Sequence, residues 1–346
     1  GSFWVGDYAQ QFPDRYDNPQ WERPDLIVIW GNNPVVSNSD GLYGHWVVDC
    51  MKRGTKAIVV DPRLTWLAAR AELFLQIRPG TDGALALGMV NYLVENSLYD
   101  REFVDLWCYG FEELAERARD YPLDEVAEIT EIPAEEIAAA ARRIGAAERA
   151  ILQWGVAIDQ IKETIPTAQA VLSLFEITGN IGKPGTMQQP ASILNYAAGW
   201  GSEFLTPEQE AKRIGQEAHP LIKMGFQECV TDDYIRCLET GEPYPIKVAW
   251  MQTTNPLACT GVDAKRTLAA HMNIDTIVCV DLFMTPTAMA LADYFLPACT
   301  YAERNGLRIG DGAQRAETIN KAIEPLGESR SDMQITLDIG KRISPE

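Results

Sequence analysis

The pattern that most restricts how this chain can fold is a repeat. Leu26-Ile27-Val28-Ile29-Trp30-Gly31-Asn32-Asn33-Pro34 is followed by Ala57-Ile58-Val59-Val60-Asp61-Pro62-Arg63, and then by Phe74-Leu75-Gln76-Ile77-Arg78-Pro79. The same order returns later. Val248-Ala249-Trp250-Met251-Gln252-Thr253-Thr254-Asn255-Pro256 precedes Thr276-Ile277-Val278-Cys279-Val280-Asp281 and Tyr294-Phe295-Leu296-Pro297. Asn33 precedes Asp61 by nearly the distance that separates Asn255 from Asp281, and Thr65 and Thr285 each follow their Asp by four. Short apolar runs without alternation predict strands buried on both faces, as in parallel sheets. Two strands with matched polar tips, used twice, point to two related nucleotide-sized sites.

A chain of 346 residues is long for one domain and comfortable as two. A net charge of −19 argues against nucleic acid, which is bound through surplus Lys and Arg. It leaves room for a nucleotide, whose phosphates can rest on backbone N–H groups at helix starts. No apolar run is long enough to span a membrane. The seven cysteines show no CxxC and read as reduced thiols, and the three histidines are far apart with no metal-ligand spacing.

Strands predicted at 25–30, 56–60, 73–77 and 150–154 alternate with helices at 42–53, 82–96, 100–119, 133–145 and 164–178. Strands resume at 247–251, 276–280 and 293–297, a glycine-rich hairpin is predicted within 305–325, and a closing helix over 331–343. The fold class is α/β: two pseudo-symmetric Rossmann-like domains, mostly parallel sheets flanked by helices. The first covers 1–190 and the second 191–346.

In open parallel sheets ligands bind beyond the carboxyl ends of the strands. Gly31 permits close backbone approach there, Asn33 offers an amide, and Pro34 stiffens the turn. Asp61 stands where a carboxylate recognises a ribose or the adjacent N–H donors of guanine. Gly80-Thr81-Asp82 opens a helix, so that its amides can take an acceptor while Asp82 reads a polar edge. Thr65 and Thr285 have the look of helix N-caps. Trp30, Trp154 and Trp250, near strand ends, either stack on a base or close the core. His45 either faces the ligand or is an ordinary helix residue.

These residues resemble the molybdopterin oxidoreductases of the dimethyl sulfoxide reductase family. The resemblance runs through Trp30 to Pro34, Val60 to Arg63, Arg78 to Asp82, Thr178 to Gly182, Asp281 to Thr285, Ala292-Asp293 with Leu296-Pro297, Glu303 to Gly306 and Ser329 to Asp332. It implies a bis-molybdopterin guanine dinucleotide carrying molybdenum or tungsten, with one dinucleotide on each of two related central domains. By motif, Gly31, Asn33, Asp61, Arg63, Gly80, Thr81 and Asp82 would hold one dinucleotide, and Asn255, Asp281, Arg304 and Asp332 the other. Trp154 would lie at the floor between them.

The resemblance also implies a small-molecule substrate, missing N- and C-terminal domains of the same subunit, and an iron–sulfur electron-transfer subunit as partner. An iron–sulfur cluster belongs to the upstream domain. The metal ligand is expected upstream of Gly1, with Asp7 the one in-chain candidate, and the isolated fragment is expected to be inactive. The family's setting is anaerobic metabolism in prokaryotic cytoplasm or periplasm. Gln188-Gln189-Pro190 stands where formate dehydrogenase-like members carry an arginine and an asparagine pair, which makes formate doubtful, and the aromatic opening from Trp4 to Trp21 resembles the hydratase branch. Two rivals are a scaffold of the same fold, as in the large peripheral subunit of respiratory complex I, and a plain α/β enzyme using NAD or thiamine diphosphate. Retention of Asp61, Arg63, Asp82 and Asp281 weighs against the first, and the lack of GxGxxG against NAD.

Overall fold

The computed structural model describes residues 22–37, 42–187, 204–219, 229–261, 263–309 and 316–344. They form two compact units, 22–187 and 204–309 with 316–344. Each carries a parallel sheet flanked by helices. Asp7, the aromatic opening, Gln188-Gln189-Pro190 and the boundary expected near 190 lie outside the described residues.

The first unit runs β1 (Leu26–Trp30), α1 (Pro34–Ser37), α2 (Leu42–Lys52), β2 (Lys56–Val60), β3 (Leu73–Leu75), α3 (Asp82–Glu95), α4 (Arg101–Trp107), α5 (Phe111–Ala118), α6 (Leu123–Thr130), α7 (Ala134–Gly145), β4 (Ala150–Trp154), α8 (Val156–Asp159) and α9 (Thr164–Glu176). Its sheet has the order β3-β2-β1-β4, all parallel. The chain steps outward from β1 to β3, crosses five helices, and returns to add β4 on the other side of β1. Trp30 is paired in register with both Val60 and Trp154, so β1, β2 and β4 end at one level.

The apolar runs of β1 and β4 are buried at every residue, and β2 at all but Lys56, as strands covered on both faces must be. α3 lies across this unit and packs against α5, α6, α7 and α9. The helix expected over 100–119 is two helices. It breaks at Gly110, whose φ of 82° no longer follows a right-handed helix. The separate helix α6 has acidic Asp124 and Glu125 in its first turn, where the helix dipole favours them.

The second unit contains α10 (Pro207–Glu210), α11 (Thr231–Thr240), β5 (Val248–Gln252), α12 (Ala264–His271), β6 (Thr276–Asp281), α13 (Pro286–Leu291), β7 (Tyr294–Pro297), β8 (Gly306–Ile309), β9 (Ala316–Ile319) and α14 (Asp332–Ile343). β5, β6 and β7 are parallel neighbours, and β8 with β9 forms the expected antiparallel hairpin. Full burial does not extend to this sheet. Val248 is 63% and Trp250 39% exposed, two residues apart on one face of β5, while Met251 on the opposite face is buried.

The repeat extends to the caps. The Ala68 N–H donates to Thr65 Oγ1 at 3.1 Å, and the Ala288 N–H donates to Thr285 Oγ1 at 3.2 Å. Thr285 is a helix N-cap followed by proline, as read from sequence, whereas Thr65 serves only a short turn.

Cys50, Cys237, Cys279 and Cys299 are buried and Cys259 is exposed. Burial, with Asp49 alongside, pushes the Cys50 thiol up to about 12. Alkylation of the native chain at pH 8 is therefore expected to modify Cys259 and to reach Cys50 only after denaturation. Peptide mass spectrometry checks this, and equal labelling of both in the native chain would contradict it.

Candidate functional site

β1 lies between β2 and β4, and the connections leaving β1 and β4 diverge. This is the switch point at which a doubly wound sheet opens a crevice. A cleft of about 440 Å³ occupies that place, lined by Gly31 to Pro34, Val36, Ser37, Arg63, Gln153 and Gly155 to Ala157.

Backbone bonds fix its walls. The Gly31 N–H donates to the Val60 carbonyl at 2.8 Å, and the Gly155 N–H donates to the Trp30 carbonyl at 3.1 Å. Asn32 Nδ2 donates to the Trp154 carbonyl at 2.9 Å. The Asn33 carbonyl accepts the N–H groups of Val36 and Ser37, both at 2.9 Å, and so starts α1. Gly31 has φ 57°, and a Cβ there would lie 2.8 Å from Ala157 Cβ. A Cβ on Gly155 would stand 2.5 Å from the Gly31 carbonyl oxygen. The two glycines thus keep a narrow backbone cradle open.

Two residues that line the cleft each have a side-chain oxygen with no partner among the described residues. Asn33 Oδ1 and Gln153 Oε1 are both buried and unbonded, and Gln153 is only 3% exposed. Buried amide oxygens left without donors carry a desolvation cost of about 1–3 kcal/mol each. Gln153 was not singled out from sequence. Its signal is a polar residue inside the apolar run Ala150–Trp154.

Asp61 is 5% exposed at the end of β2. Its Oδ1 accepts the Arg63 N–H at 2.7 Å and lies 4.0 Å from Arg63 Nε. The Arg63 side chain is mostly exposed and rims the cleft. The structure therefore brings Gly31, Asn33, Pro34 and Arg63 together at one opening, with Asp61 joined to Arg63.

Other expectations need correction. Asp82 does not present a free edge, because it is buried and Trp30 Nε1 donates to its Oδ1 at 2.8 Å. Burial raises its pKa, and the Trp30 hydrogen bond lowers it in part. Trp30 and Trp154 are fully buried core side chains, so their rings cannot stack on a ligand. Trp250 is half-exposed, and its Nε1 donates to Gln252 Oε1 at 2.9 Å. Gly80 and Thr81 line a different hollow, of about 570 Å³, bordered by α3, α5 and α9. The Thr81 hydroxyl donates to the Arg78 carbonyl at 2.7 Å, shaping the approach to α3. His45 is exposed and does not line the cleft.

The second unit repeats one of these contacts with different chemistry. Gln252, the last residue of β5, donates through Nε2 to Asp332 Oδ1 at 2.9 Å. Asp332 is the first residue of α14, as Asp82 is of α3. In both units the final residue of one strand is tied to an aspartate that starts a helix. Asp281 Oδ1 accepts the Leu282 N–H at 2.7 Å. Asn255 differs from Asn33, since its Oδ1 accepts the Thr287 hydroxyl at 2.6 Å. The residue two beyond the matched threonine is Thr287 here and the buried, apolar Leu67 in the first unit. Arg304 is half-buried just after a short turn at Tyr301–Glu303.

Among the described residues no three His, Cys, Asp or Glu side chains are grouped to hold a metal ion. No helix among them is long and apolar enough to cross a membrane.

The family model for molybdopterin oxidoreductases matches residues 7–342. Acetylene hydratase of Syntrophotalea acetylenica is 33% identical over 86% of this chain and 44% of its own length. The F420-dependent formate dehydrogenase subunit alpha of Methanocaldococcus jannaschii is 31% identical over 93% of this chain and 48% of its own length. The solved acetylene hydratase from Pelobacter acetylenicus superimposes with a TM-score of 0.80 at 30% identity, covering 98% of this chain and 50% of that one. The chain thus spans about half the length of the curated relatives it matches. It belongs to the molybdopterin oxidoreductase family of molybdenum and tungsten enzymes.

Proposed function

We propose that this chain is the cofactor-holding part of the catalytic subunit of a bis-molybdopterin guanine dinucleotide oxidoreductase. Each unit holds one guanine dinucleotide. The observation that carries the reading is the cleft at the β1–β4 switch point, with its glycine cradle and two unpaired amide oxygens. Those groups suit a ligand with N–H or O–H donors, and Arg63 at the rim suits its phosphates. When bound, the group supplies two-electron or oxygen-atom transfer at molybdenum or tungsten.

The chain's own residues bind and orient. Gly31 and Gly155 let backbone approach the ligand, Asn33 accepts its donors, and Arg63 neutralises phosphate while its N–H holds Asp61 in place. In the second unit, Asp281, Arg304 and the Gln252–Asp332 pair are assigned the same task. Asp82, Trp30 and Trp154 support the site from within the core. Substrate, further domains and an iron–sulfur partner belong to the parent subunit.

The test is release of guanine nucleotide. Acid treatment of protein purified from a host that makes the cofactor is expected to yield two GMP equivalents per chain by mass spectrometry, with molybdenum or tungsten by elemental analysis. Protein without guanine would reject the reading and favour the scaffold. The 346-residue chain by itself is expected to show no turnover with any small-molecule substrate. Redox or hydration activity from it alone would contradict that part.

A further inference from the structure

We infer that Gln153 is a specificity-determining residue of the first unit. With Asn33, it reads the N–H donors of an aminopyrimidinone ring lying in the β1–β4 cleft. This rests on the reading that the first unit holds a guanine dinucleotide, and it assigns one further residue to that site. Gln153 Oε1 and Asn33 Oδ1 are buried acceptors of two residues that line the same cleft, and no donor among the described residues meets them.

The fold explains why they stay unpaired. In the second unit the equivalent asparagine, Asn255, is closed off by the Thr287 hydroxyl. In the first, the residue at the same sequence offset from the matched threonine is Leu67, which has no hydroxyl to give. Gln153 comes from β4, and the second unit's sheet has no fourth strand among its described residues. Amide acceptors alone would suit many donors. Two of them beside a backbone cradle suit a flat heterocycle with adjacent N–H groups, which guanine and pterin share. A carboxamide also has its own N–H to give to the ring carbonyl. The first unit therefore selects the ring, and the second unit has no matching pair of open amides among its described residues.

The test compares the chain with Gln153→Leu, which removes the carboxamide at similar size. Calorimetric titration uses three probes: GDP, inosine diphosphate (which lacks the exocyclic amino group) and a hydroxymethylpterin. The wild type is expected to prefer GDP over inosine diphosphate. Gln153→Leu is expected to weaken GDP by about five- to tenfold, the scale of one neutral hydrogen bond, and to erase that preference. If the loss falls on the pterin instead, the same pair reads the pterin edge, and the assignment of Gln153 stands. The urea midpoint of ligand-free Gln153→Leu is expected to be unchanged or raised, since an unpaired buried amide is gone. A merely structural glutamine would lower it. Unaltered affinity for all three probes in Gln153→Leu overturns the role of Gln153 and leaves the site reading intact. A wild-type chain that binds none of them overturns both.

Discussion

Replacing Gly155 with alanine is expected to destabilise the first unit by about 2–4 kcal/mol and to abolish ligand binding in its cleft. The new Cβ would lie 2.5 Å from the Gly31 carbonyl oxygen, 3.0 Å from Asn32 Cβ and 3.1 Å from Asn32 Cα. None of these is the far end of a flexible side chain, so relief requires moving the loop that follows β1. The φ of Gly155 is −127°, which any residue adopts, so the cost is crowding alone. Part of it is the Gly155 N–H bond to the Trp30 carbonyl, which stretches if the strands part. Gly80→Ala is the control, because that glycine has φ 85° and nothing within 4 Å. It is expected to cost only the left-handed backbone penalty of about 1–2 kcal/mol. Urea midpoints with hydrogen exchange at β1 and β4 amides separate the two. Equal losses would refute the crowding argument.

Removing the indole of Trp30 is expected to have a comparable effect, and one that depends on pH. Trp30→Leu leaves a cavity and an unpaired buried carboxylate, together about 3–5 kcal/mol. Trp30→Phe removes mainly the hydrogen bond to Asp82 and is expected to cost about 1–3 kcal/mol. Burial already raises the Asp82 pKa above its ordinary value of 3.8, while the Trp30 N–H opposes that shift. Above the raised folded value, the folded chain must keep a charge in a buried place, so Asp82 subtracts from stability. As pH falls through that value the folded state takes up the proton first, and the subtraction is relieved until the unfolded chain also protonates near 3.8. Without the indole N–H the folded pKa rises further. Trp30→Phe is therefore expected to be more destabilising at pH 7.5 than at pH 5, and adding Asp82→Asn should remove that slope. A deficit in Trp30→Phe that is constant across this range would refute the coupling.

The parallel cores were legible in the sequence because burial on both faces leaves nearly continuous apolar runs, as at Leu26–Trp30, at Ala57–Val60 and, but for Gln153, at Ala150–Trp154. The break at Gly110 and the separate helix α6 were not read, since an acidic amphipathic stretch continues its helical period across a short turn. Asn33 could be placed from strand order, because the carboxyl ends of parallel strands gather at one edge, whereas Arg63 entered only through the family resemblance. Asp82 could not. Sequence shows an acid at a helix start but not that the last side chain of a strand far back in the chain has already engaged it. Gln153 went unseen for a related reason, as a single polar residue in a strand reads as noise until its lack of partners is known.

The strand-to-helix tie has a consequence for descent. Trp30 meets Asp82 through an indole N–H, and Gln252 meets Asp332 through a carboxamide N–H. A comparison of the two halves by amino-acid identity scores tryptophan against glutamine as an unrelated pair. What both halves share is the direction of one donated hydrogen toward one helix start. A search for ancestry between such halves gains more from aligning donors and acceptors in space than from aligning letters.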